Sequence, residues 1–296
     1  MKPIKIALAF SALALLFSSC SKSNNNSIEE PGSPRLIFKF KFDPNQVRLN
    51  NIGQPSVIAS GNAAQSPKFN LMSSHYIEMA PNAFTALGSG TVLFHAAETA
   101  AGGSNAIDFS KNKAVGDGEE FFSIPIKEVK PGTYEYLRVS LAYQNYDILF
   151  KAKNPLDQNT TLTTNGTLAS FIGFNTYIGT LKIKNTSIEV NANKKQGFWA
   201  FETMGLNFSG DASKTTVVNP INSSSPIPQG SCVVTGSFNN MLTITGNETQ
   251  DIVIEVRLST NNSFEWREVN ADGYFQPDIG EIVEDMGVRG MIPVIK

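Results

Sequence analysis

The chain has 296 residues, of which 17% are charged, with 24 lysines and arginines against 26 aspartates and glutamates. That mildly acidic balance argues against nucleic acid as a partner. Two histidines in the whole sequence leave little material for a catalytic triad or a histidine-rich metal site.

In chain order, Lys2 and Lys5 precede an apolar run, Ile6 to Phe17, that is too short to span a bilayer comfortably. Residues 1–19 therefore read as a secretory signal. The run Leu16-Phe17-Ser18-Ser19-Cys20 resembles the lipobox of bacterial lipoproteins, with Phe17 in place of the usual leucine. The resemblance implies that Cys20 carries palmitate-type acyl chains and becomes the first residue. Each buried methylene adds about 0.8 kcal/mol, so two or three chains anchor the protein firmly. Loss of Lys2 and Lys5 with the signal leaves 22 basic against 26 acidic side chains, a charge of −4. Residues 20–34 then form a flexible stalk, "SKSNNNSIEEPGSP" after the cysteine, polar and punctuated by proline. No later apolar run reaches transmembrane length.

Beyond the stalk, period-two alternation dominates and no window carries a helical period. In "RLIFKFKFD" Leu36, Phe38, Phe40 and Phe42 share one face and Lys39 and Lys41 the other, the signature of a half-buried strand. "PGTYEYLRVSLAYQNYDILFKA" alternates over the length of a hairpin, with Leu137, Val139, Leu141 and Tyr143 on one face and Tyr134, Tyr136, Arg138 and Tyr146 opposite. "QDIVIEVRLST" turns Ile252, Ile254, Val256 and Leu258 inward. Shorter candidate strands fall at 74–79, 91–96, 120–126, 167–173, 179–183, 187–191, 197–203, 231–238 and 241–245, between turn signals such as Asn165-Gly166 and Pro131-Gly132. The pattern predicts an all-β fold of antiparallel β-sandwich architecture. Polar stretches at 154–166 and 213–231 suggest two β units, 35–153 and 167–296.

Few residues carry chemistry. Cys232 lies in the strand-like run "GSCVVTGSF" and reads as a small buried hydrophobe; with Cys20 acylated it has no intramolecular disulfide partner. His75 and His95 sit in strand-like runs and read as structural, with Glu78 and Glu98 three residues on and so on the opposite strand face. Trp199, in "GFWAFET", and Trp266 are the candidate ligand-stacking aromatics. The acidic "GDGEE" at 116–120 reads as a hairpin tip or a source of oxygens for a cation.

Near the end, "EVNADGYFQPDIGE" offers side-chain oxygens at alternate residues up to an Asp-Gly turn. With Gly273 at the sixth position of a calcium loop, Glu268, Asn270, Asp272, the Tyr274 carbonyl and Glu281 would supply the ligands. The stretch resembles an EF-hand-type loop. Glu268 departs from the usual opening aspartate and Glu281 comes two residues late. The alternative reading is a polar hairpin whose Asn and Asp tolerate the left-handed turn.

Signal, lipobox, Asn-rich stalk and all-β body together resemble lipoproteins of the Bacteroidota outer membrane, on either face of it. Two functions fit this reading. One is a non-enzymatic binding or structural lipoprotein, tethered to the membrane and stabilised by calcium. The other is a glycan-binding or glycan-processing component of the cell envelope, using an aromatic platform and dispersed carboxylates. Its partner would be a glycan or another envelope protein.

Overall fold

The computed structural model describes residues 32–50, 54–212 and 232–296. The predicted signal, Cys20, nearly all of the stalk and the polar stretch 213–231 lie outside the described residues. Ser33–Lys296 forms one compact unit, and all that follows concerns it.

The unit is all-β. In chain order its strands are β1 (Arg35–Asp43), β2 (Asn62–Gln65), β3 (Lys68–Ala80), β4 (Thr91–His95), β5 (Glu98–Thr99), β6 (Ala106–Asp108), β7 (Glu120–Pro125), β8 (Gly132–Asn154), β9 (Asp157–Phe171) and β10 (Asn175–Lys182). They continue with β11 (Ser187–Lys195), β12 (Phe198–Thr203), β13 (Leu206–Asp211), β14 (Val233–Ile244), β15 (Ile252–Ser259), β16 (Phe264–Arg267), β17 (Val283–Met286) and β18 (Met291–Ile295). Helical structure among the described residues is confined to single 3-10 turns. No described helix is long and apolar enough to cross a membrane.

The largest sheet, ordered β13-β12-β9-β8-β3-β4 with β14 paired to the first part of β8, curls into a half-barrel. A second sheet, β18-β15-β1-β7, packs against it through the main core. β1 follows its predicted alternation: Leu36, Phe38, Phe40 and Phe42 are buried, between the equally buried Ile254, Val256 and Leu258 of β15 and the Phe121 ring of β7. The β1–β15 pairing is parallel and joins residues more than 200 positions apart, Leu36 with Ile252. The remaining small sheets are β11-β10-β6-β5 and β17-β16-β2.

Two expectations need correction. The stretch 154–166, expected as a boundary between two units, is the turn after β8 and most of β9, and the two strands pair from Tyr143–Phe171 to Asn154–Asp157. A second correction concerns β8 itself, which is one 23-residue strand. Leu137, Val139 and Leu141 face the main core as predicted, but Tyr143 does not follow them. At Ala142 the strand takes an extra residue: its carbonyl accepts from both Ile172 and Gly173 N–H groups (2.8 and 3.0 Å), and the pairing with β3 shifts opposite Ser74. A bulge of one residue reverses the alternation beyond it. Tyr146, Ile148 and Phe150 therefore face the main core, and Tyr143 turns away.

The bulge gives the β8–β9–β12 region two different faces. On one, Tyr143, Ala169, Phe171, Phe198 and Ala200 close against Ile178, Leu181 and Ile183 in a second core. The other faces a large cavity.

Candidate functional site

Register dictates what lines that cavity. Across neighbouring strands Gln144, Ser170 and Trp199 stand in one row, and Tyr146, Leu168 and Phe201 in the next on the same face. β13 extends the wall, with Phe208 opposite Phe201 and Leu206 opposite Thr203. Phe264, Phe275, Pro277 and the segment from Ile282 to Val288 close the far side. The enclosed volume is about 770 Å³, within the range of small-molecule sites. Gly166 is required here: a Cβ at this position would lie 2.0 Å from the Phe201 ring. Its absence lets that ring settle edge-on to Phe150, 5.3 Å away between centroids. Met204, Leu206, Phe208 and Ile282 line the cavity yet remain 41–58% exposed, so they form its mouth.

Polar groups in the wall are few. Gln144 is 1% exposed, and its Oε1 has no hydrogen-bond partner among the described residues. Its carboxamide lies against the backbone of Gly287, which has no Cβ and a positive φ of 122°. The Ser170 hydroxyl beside it reaches only the Met286 sulfur, at 3.9 Å. Asp285, in the wall, pairs with Arg289; Arg48 pairs with Glu265, and Asn62 donates to Glu265 at 2.6 Å. Burial raises the Asp285 carboxyl above its ordinary value although both arginines oppose the shift. Burial, and then the nearby Arg289 charge, lowers Arg48. Glu284 pairs with Arg267 at 3.2 Å.

The predicted aromatic candidates separate. Trp199 lines the cavity, half-buried. Trp266 is fully buried, packed on Phe264 and Phe275 with centroids 5.9 and 6.0 Å away, so it offers no platform to a ligand. Sequence reasoning missed Gln144, Ser170, Phe201, Leu206 and Phe208; the only local signal was the apolar pair two residues apart in "LNFSG".

The candidate calcium loop is folded by nitrogen donors. Glu268 Oε1 accepts from the N–H groups of Asp272 and Gly273 (3.0 and 2.9 Å). Glu281 Oε1 accepts from Val269 and Asn270 N–H (3.0 and 3.3 Å), and its Oε2 from Gln276 N–H (2.6 Å). Asp272 Oδ1 takes the Tyr274 N–H (3.0 Å), and Oδ2 receives Lys151 Nζ at 2.6 Å and Asn270 Nδ2 at 2.9 Å. The Lys151 hydrogen bond holds the Asp272 carboxyl below its ordinary range. This donor set fits a divalent cation poorly: an ammonium and backbone amides already point at the Asp272 and Glu281 oxygens and at Glu268 Oε1, and of these carboxylate oxygens Glu268 Oε2 alone is buried without a partner among the described residues. Among the described residues no three His, Cys, Asp or Glu side chains gather at one point. These contacts support the polar-turn alternative.

Two further clusters use chemically capable residues for structure. Ser140 Oγ lies 3.1 Å from His75 Nε2 and 2.9 Å from Cys232 Sγ, all three buried. Burial pushes His75 down to about 4 and Cys232 up, so both stay neutral, the opposite of an activated thiolate–imidazolium pair. Glu78 is buried on the same strand and pairs with buried Arg138 at 3.2 Å; Glu78 accepts from Gly88 and Gly90 N–H while Arg138 donates to the Thr85 carbonyl, fastening the β3–β4 turn. His95 and Glu98 were expected on opposite faces. They come within 3.8 Å, because the strand breaks at Ala96–Ala97 between β4 and β5. No protein-family model, curated protein or solved structure matches the chain.

Proposed function

We propose that this protein is a non-enzymatic binding lipoprotein of the outer membrane, tethered through Cys20, whose ligand is a largely apolar small molecule. The observation that carries the reading is the 770 Å³ cavity on the curled sheet, walled by Phe150, Leu168, Phe201, Phe264 and Phe275. Apolar surface held out of a close-packed core and opened to solvent through an apolar mouth favours apolar ligands over water. Its carboxylates support binding over hydrolysis: Glu284 and Asp285 are consecutive on β17 and each is paired with an arginine. Both line the cavity, but hydrolysis of a glycosidic bond needs one carboxyl that can donate a proton and a second that can attack or activate water, and these two are engaged with Arg267 and Arg289. The membrane anchor rests on Cys20 and its neighbours, and the change Cys20→Ala should release the protein from membrane fractions.

Native mass spectrometry tests the binding reading. After incubation with an envelope lipid extract, the mature chain should carry one added mass of a lipid-like compound. A chain that stays at its bare mass at every extract concentration would overturn the reading.

A further inference from the structure

Resting on that reading, we infer that the ligand is a neutral amphiphile: an apolar chain or ring system that ends in a hydroxyl, received by Gln144. Protein interiors seldom leave a buried amide oxygen unsatisfied, because the hydrogen bond lost to water is then not replaced. Gln144 Oε1 is such an atom, in a side chain that is 1% exposed and belongs to the wall of the cavity. The bulge at Ala142 is what turns this residue to the cavity side. Directly across the strand pair, the Ser170 hydroxyl is held only by a long contact to the Met286 sulfur. Gln144 and Ser170 thus make one polar spot on a mostly apolar wall, whose other polar side chains are Lys153, Gln196, Thr203, Glu284 and Asp285.

The charges around this spot decide the sign of the ligand. Asp285 lines the cavity, and its nearest cation, Arg289, is already engaged by it. Glu284 lines it too and is paired with Arg267. Among the described residues the lining holds two carboxylates and one cation, the exposed Lys153, so an anionic head group carried to the buried Gln144 would lose its hydration without a buried lining cation to offset the loss. A hydroxyl, by contrast, donates to an amide oxygen and accepts in return from the serine.

Displacement of the neutral fluorescent probe N-phenyl-1-naphthylamine from the soluble chain, Ser21–Lys296, tests this with three competitors of equal chain length: 1-dodecanol, 1-methoxydodecane and dodecanoate at pH 8. The alcohol should bind about tenfold tighter than the ether, the factor that corresponds to 1.4 kcal/mol, and dodecanoate should bind more weakly than the alcohol. In Gln144→Leu the alcohol should lose its advantage over the ether while the probe still binds. If Gln144→Leu does not fold, the wild-type ranking alone decides. Equal affinity for alcohol and ether, tightest binding of dodecanoate, or an alcohol preference that survives in Gln144→Leu overturns the inference while leaving an apolar site. Failure of the probe itself to bind would instead overturn the underlying reading.

Discussion

One sheet, β8–β9–β12, has two apolar faces that the protein treats differently. On the face toward β10, Tyr143, Phe171 and Phe198 interlock with Ile178 and Leu181, and Phe109 closes on Tyr143 and Phe171 with ring centroids 5.3 and 5.0 Å apart. On the reverse face, side chains of the same kinds stand around 770 Å³ of space. Apolar patterning sends residues inward in both cases. Whether they then meet depends on what the rest of the chain places opposite: the small sheet that contains β10 and β11 on one side, the curl of the sheet and the 275–288 segment on the other. The contrast teaches that burial and close packing are separate outcomes, and that ligand capacity arises where they part.

The contrast can be broken most forcefully from its packed side. Ile178→Ala removes a fully buried side chain from the second core and should cost about 2–5 kcal/mol, measured by denaturant unfolding, with probe affinity at the cavity unchanged in the folded fraction. Acid reaches the seam between the faces, where His75 contacts Ser140 just before the bulge. The folded His75 has its pKa lowered from 6.5 to about 4, so the unfolded chain takes up a proton first as pH falls. Its contribution to stability is complete above about pH 6.5 and is lost between there and about pH 4, by up to about 3 kcal/mol. His75→Gln should lack that part of the acid slope in urea titrations run across this window, and identical slopes would refute the assignment.

The cavity face should respond in the opposite sense. Gly166→Ala pushes the Phe201 ring toward the cavity, at a stability cost of about 1–3 kcal/mol, while probe affinity should fall by about an order of magnitude as the site fills. The smallest effect is expected at 268–281. Because Lys151 and backbone amides already hold Asp272, Glu268 and Glu281, millimolar calcium should leave the thermal midpoint where chelator leaves it. A clear upward shift with calcium would restore the metal reading.

How much of this was legible in the sequence varies with the range of the cause. The inward residues of β1 and β15 could be read directly, since alternation is local and both strands are half-buried. The bulge at Ala142 could not, because it is defined by the partners Ser74, Ile172 and Gly173, which the sequence does not place beside it. Gln144 therefore had no visible role. Leu206 and Phe208 alternate like core residues but end at the mouth, a difference made only by the absence of a covering strand among the described residues. In 268–281 the oxygens of Glu268, Asn270 and Asp272 alternate along the chain as a calcium loop requires, although Glu281 comes two residues late, yet Lys151, the side chain that meets Asp272, comes from β8.

The central claim, that the reverse face is a ligand site and not an imperfect core, is tested most directly by titrating N-phenyl-1-naphthylamine into the wild-type chain and Gly166→Ala side by side. The account predicts saturable one-to-one binding to wild type and strongly weakened binding to a still-folded Gly166→Ala. Absence of saturation in wild type, or equal affinity in both, would contradict it.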